Sequence, residues 1–231
     1  MQTLRAPRAT LLVLATLALS ALAACDANGR INGSVHVAPG EQAGEVSTVN
    51  GAVEVGERAS VAGMHTVNGH LSLGESARAG SMRTVNGAVE IAALAQVTAN
   101  VATVNGALNV GQDAQVGGTL ENINGPITVD GAHVVGRLRT VNGAISILNG
   151  ARVDGGILVQ KPHGIFIDLL HDTFHSTRSS ALRVVIGRDV SIGGTLKFER
   201  EVKLYVSDQV KHLGPIEGAT PIRYSGDSPP L

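Results

Sequence analysis

The sequence predicts an all-β protein: a single-stranded parallel β-solenoid (β-helix) with three short strands in each 18–19-residue turn and a C-terminal cap. Three observations predict it. Asn-Gly recurs with its Asn at 32, 50, 68, 86, 105, 124 and 142, in steps of 18, 18, 18, 19, 19 and 18. The lead-in is "TVNG" at 48–51, 66–69, 84–87, 103–106 and 140–143, with "RING" at 30–33 and "NING" at 122–125. Within a unit such as "TVNGAVEVGERASVAGMH", Thr48 to His65, apolar residues alternate with polar or small ones, the period of half-buried strands. Finally, 231 residues hold 29 Gly, no Trp, three Phe and two Tyr, so the core must be thin and built from small aliphatic side chains.

Taken in order, the chain opens on an export signal over 1–24. Arg5 and Arg8 precede the apolar run "ATLLVLATLALSALAA", which is too short for a membrane-spanning helix and ends in small residues. Cys25, the single cysteine, follows in "LAAC". This resembles the bacterial lipobox, which implies cleavage before Cys25, a diacylglycerol on its thiol and an acyl chain, commonly palmitate, on the new amino terminus. Ordinary cleavage after Ala21-Leu22-Ala23 is the alternative. Asp26 resembles an inner-membrane retention signal of enteric bacteria. Residues 25–29 then form a lipidated tether with a reach of about 14 Å.

The repeats occupy 30–158. Val53 and Val55 form one strand, Ala59 and Val61 a second after the charged corner "GER", and Met64 and Val67 a third. Expected interior columns are Val49, Val67, Val85, Val104, Ile123 and Val141, and Ala59, Ala77, Ala95 and Ala114. The structural corners are assigned to Asn32, Asn50, Asn68, Asn86, Asn105, Asn124 and Asn142. There Asn and Gly tolerate left-handed backbone angles, and stacked Asn side chains can bond from rung to rung. An array of identical binding sites is the competing use of the same period.

Hexads such as "VGERAS" at 55, "LGESAR" at 73 and "VGQDAQ" at 110 follow the left-handed β-helix rule. The third face breaks it, with Met64, Met82, Val101, Leu120 and Leu138 followed by His65, Arg83 or Arg139 where a small residue belongs. The two 19-residue units place their extra residue on this face. It is therefore similar to the right-handed solenoid of the bactofilins, and "TVNGAVEV" resembles the wording of bacterial adhesin-like domains, over about residues 30–158. The resemblance implies a fold more firmly than a function.

Beyond the repeats, "IFIDLLHDTF" within 159–183 spaces Phe166, Leu169, Leu170 and Phe174 as a short helix or loop excursion. Strand pattern returns over 184–213, read as a cap over the open end, and 214–231 reads as a loosely held tail.

The net charge of −1 carries no basic footprint for nucleic acid. His171 and His175, four apart, could share a metal on a helix but lack a third ligand and the Glu of a metalloprotease motif. Hexapeptide acyltransferases share the hexads, and the resemblance would nominate His70 or His133 as base. Glu54 and Glu90 share a row with Ser72 and read as a solvated face. The expected function is a non-catalytic envelope scaffold or adhesin-like module without cofactor, bound to a membrane through its lipid and facing the periplasm or the cell surface. Its expected partners are an envelope protein, a polysaccharide or copies of itself, and filament formation is the alternative function.

Overall fold

Alternating aliphatic residues become one wall of the molecule. The computed structural model describes residues 29–161, 181–226 and 229, and the described residues form a parallel β-solenoid without a helix. Ten strands, from Val35–Val37 through Val53–Val55, Leu71–Leu73 and onward to Pro221–Tyr224, stack in sequence order as the first wall. A sheet of 16 strands carries the other two walls. Cysteine 25, the signal region, His171, His175 and the core of the 159–183 excursion lie outside the described residues.

The columns explain why no turn needs its own core. Val53, Leu71, Val89, Leu108, Ile127, Ile145, Val184 and Leu204 stand in register, every one of them fully buried. Ala59, Ala77, Ala95 and Ala114 form the expected alanine column, also fully buried. Each large aliphatic in such a column contributes about 1.5–3 kcal/mol, a gain realised only when the next turn covers it.

The other expected column is wrong by one residue. Thr48, Thr66, Thr84, Thr103, Asn122 and Thr140 point inward, and the Val or Ile beside each is only half-buried. A polar residue is tolerated there because its hydroxyl finds a partner. Thr48, Thr66, Thr84 and Thr103 donate to the carbonyls of Gly33, Gly51, Gly69 and Gly87 in the turn below, at 2.9–3.1 Å.

The corners also differ from expectation. The ladder asparagines end strands in ordinary backbone conformations. The left-handed non-glycine residues sit at the other corner instead: Arg58, Ser76, Leu94, Asp113, Asn149 and Asp189, with φ of 52–61°, while at the ladder corner Gly33, Gly51 and Gly125 alone carry positive φ among the described residues. At Gly69, Gly87, Gly106 and Gly143, whose φ is not positive, glycine is needed for closeness, whereas Gly33 meets nothing and is held at φ 105°. A Cβ on Gly69 or Gly87 would collide with the glycine carbonyl of the turn below.

The third face takes its insertion where expected. Arg78–Asn86 is one continuous nine-residue strand, whereas the next turn splits into Gln96–Val97 and Val101–Asn105. The turn ending at Asn142 keeps that insertion and returns to 18 residues by shortening its first corner. Six positions separate Val110 from Val116, but five separate their partners Val129 and Val134. Gly131, at φ 60°, makes the tighter corner.

The solenoid does not stop at 158. Val184 pairs with Ile145 and Leu196 with Ile157, so the segment expected as a cap is further turns of the same stack. Phe198 enters the inward column above Val159, filling as one ring the place that threonine holds below. The expected tail contains the strands Ile216–Glu217 and Pro221–Tyr224; the latter pairs with Val202–Ser207 and buries Tyr224. Larger side chains allow these last turns to pack without the repeat spelling.

Candidate functional site

Seven side chains meet in the feature that the period creates. Asn50 Nδ2 donates to Asn32 Oδ1, and Asn68, Asn86, Asn105, Asn124 and Asn142 each donate to the asparagine below, at 2.9–3.1 Å. All six bonds run in one direction, so the amide dipoles add and each bond polarises the next. The ladder is exposed at its rim, yet each internal asparagine gives one donor and one acceptor to its neighbours.

The ladder ends on a cation. Two positions beyond the paired Thr140, Val159 and Phe198 stand Asn142, Lys161 one turn up and Arg200 two turns up. From there Arg200 Nη1 reaches Asn142 Oδ1 at 2.5 Å and Val141 O at 2.9 Å. Positive charge thus meets the acceptor end of an aligned dipole row, as basic side chains do at a helix C-terminus.

The period is broken inside, at "NING". Asn122 Nδ2 donates to Gly106 O and also to Gly125 O, both at 2.8 Å. By the register of the other threonines, Gly125 O belongs to Thr140. Among the described residues, Thr140 Oγ1 and Asn122 Oδ1 are left buried without partners, as is Arg139 Nε. Arg139 still pairs through Nη1 with Glu121 at 3.0 Å.

The histidines nominated for chemistry are engaged in pairs. His133 Nε2 lies 2.8 Å from Asp154 Oδ2, and Arg152 Nε donates to Asp154 Oδ1 at 2.7 Å. The Arg152 hydrogen bond, then that from His133, holds the Asp154 carboxyl below its usual range. The Cα neighbours of His133 across the sheet are Gln115 and Arg152, neither of them a nucleophile. His70 Nε2 approaches Glu54 Oε1 at 3.5 Å, while His36 Nδ1 lies 3.7 Å from the other oxygen. Glu54 and Glu90 share the predicted outer row with Ser72. Among the described residues, no three His, Cys, Asp or Glu side chains converge as metal ligands.

His65 is the most enclosed of these histidines. Its side chain is 19% exposed and its Nε2 lies 2.8 Å from Glu45 Oε1. Burial pushes its pKa below 6.5, against the pull of Glu45 and with the help of Arg83.

A second apolar group sits on the outer side of the first wall near its C-terminal end. Val185, Tyr205 and Tyr224 cluster with Leu148, and the Arg183 guanidinium lies 5.0 Å from the Tyr205 ring centroid. Sequence reasoning placed the aromatics late but missed this cluster, the threonine bonds and Arg200. Alternation alone does not distinguish a wall's two sides once both carry large residues. Comparison with protein-family models, curated proteins and solved structures gave no match.

Proposed function

We propose that the chain is a non-catalytic, lipid-anchored protein of the bacterial cell envelope, its solenoid serving as a scaffold or adhesin-like interaction module. The observation that carries this reading is the asparagine ladder. The element repeated in every early turn is bonded to itself, so the repeat builds a long rigid body bearing mixed polar faces. The lipobox-like Cys25 stands four positions before the first strand, Gly29–Asn32, which supports an anchor close beneath the stack. Envelope proteins or polysaccharides are the partners such faces suit. Palmitate labelling and fractionation of the wild type and Cys25→Ala test the anchor, and cross-linking from membranes tests the partner. A labelled, membrane-bound wild type and an unlabelled, released variant are expected. An unlabelled wild-type chain in the soluble fraction would overturn the anchor.

A second reading, end-to-end assembly related to that of the bactofilins, is favoured by one observation. Among the described residues no strand pairs with the outer edge of the first turn, on which Ile31 is 68% exposed. Filaments of delipidated protein under the electron microscope would support it.

A further inference from the structure

We propose that the ladder carries a self-modification site at Asn142-Gly143, where the asparagine cyclises and deamidates in preference to the Asn-Gly pairs below it. The reaction needs a backbone nitrogen free to attack and a side-chain carbonyl polarised to receive it. Both conditions differ along the ladder.

In the lower turns the nitrogen is tied. Gly33, Gly51, Gly69, Gly87 and Gly106 donate their N–H groups to the carbonyls of Asn50, Asn68, Asn86, Asn105 and Asn124, at 2.9–3.0 Å. Gly150, after Asn149, donates to Arg188 O at 3.1 Å. Among the described residues, Gly143 N makes no such bond, and neither does Gly125 N. Gly143 is itself buried, and among the described residues no carbonyl accepts from its N–H, a costly state for an enclosed donor. Cyclisation removes that donor, because the imide nitrogen carries no hydrogen.

The electrophile is distinguished as well. Internal ladder carbonyls accept from a neutral amide, whereas Asn142 Oδ1 accepts from the Arg200 guanidinium at 2.5 Å. A cation there stabilises the negative charge that develops on Oδ1 as the tetrahedral intermediate forms. Gly143 N bonds to Asn142 Cγ as its proton passes to solvent base, and the Cγ–Nδ2 bond breaks as Nδ2 takes up a proton from solvent and leaves as ammonia. Water then opens the succinimide. Cleavage at Cγ gives Asp, and cleavage at the main-chain carbonyl gives isoaspartate. An Asp product keeps Arg200 as its partner but loses the donor to Asn124 Oδ1. An isoaspartate product lengthens the backbone at the last rung.

The test is peptide mapping by mass spectrometry after incubation of the folded protein at mildly alkaline pH in ¹⁸O-water, beside the same protein in denaturant. In the folded protein Asn142 is expected to convert about tenfold faster than Asn50, Asn68 or Asn86, with Asn124 between them, the contrast one tied donor and one polarised acceptor can produce. In denaturant the sites should converge. Equal folded-state rates along the ladder, or faster conversion at Asn50, Asn68 or Asn86, would overturn the assignment. Arg200→Gln separates the two causes: slower conversion at Asn142 is expected, and an unchanged or faster rate would remove Arg200 from the mechanism.

Discussion

Arg200 stands two turns above Asn142 and donates to its Oδ1 at 2.5 Å, where the asparagine period ends. The same guanidinium holds Val141 O at 2.9 Å. One long side chain thus joins the early repeats to the last turns.

Replacing Arg200 with Ala removes its charge-assisted hydrogen bonds to Val141 and Asn142 and is expected to cost about 1.5–3 kcal/mol. Urea denaturation of the purified protein measures this. Arg200→Lys should recover only part, because an ammonium lacks the planar fork.

Asn122→Thr is expected to stabilise the protein by about 1–3 kcal/mol, an uncommon outcome for a fully buried position. A threonine donates to Gly106 O alone, which returns Gly125 O to Thr140 and removes both orphaned oxygens. The shift in urea midpoint checks it, and a destabilised variant would show that the second bond of Asn122 outweighs the two orphans.

Leu94 holds a left-handed backbone, φ 61°, and the residue is 48% exposed. Leu94→Gly should raise stability by up to about 1 kcal/mol, the relief of a left-handed Cβ clash of about 1–2 kcal/mol being offset in part by the apolar area that a half-buried leucine gives up. The thermal midpoint reports the change.

His65 makes stability depend on pH. Its folded pKa lies below the unfolded value of 6.5, so the unfolded chain binds the proton more readily. The contribution is present above 6.5 and is lost as pH falls through 6.5 toward the folded value. His65→Gln should flatten the stability profile in that window, and an unchanged slope would contradict the assignment.

The architecture was legible because its signal is periodic: the Asn-Gly spacing gave the turn length, and Val53 with Val55 gave the first wall. The misplacement of Val49 and its equivalents has a physical origin. Hydrophobicity favours Val inside, but the Thr48 hydroxyl is satisfied by Gly33 O and the wall's alternation, fixed by Val46, puts Thr48 on the inner side. The Asn-Gly corner was legible as a ladder but not as a close approach, since that depends on the glycine one turn below. Arg200 lies 58 residues from its partner in a segment without the repeat spelling, and no local pattern announces it. His133 was visible as a residue, but the Asp154 that engages it follows from register alone.

The central claim is that the repeated asparagine builds the fold rather than serving as an array of ligand sites, and Asn86→Val tests it most directly. Asn86 donates to Asn68 and accepts from Asn105, both at 2.9 Å. Valine removes both bonds and leaves two neighbours with a lost partner. The urea unfolding curve should show a loss of about 1–3 kcal/mol. Unchanged stability, with loss of binding to an envelope partner, would contradict the account.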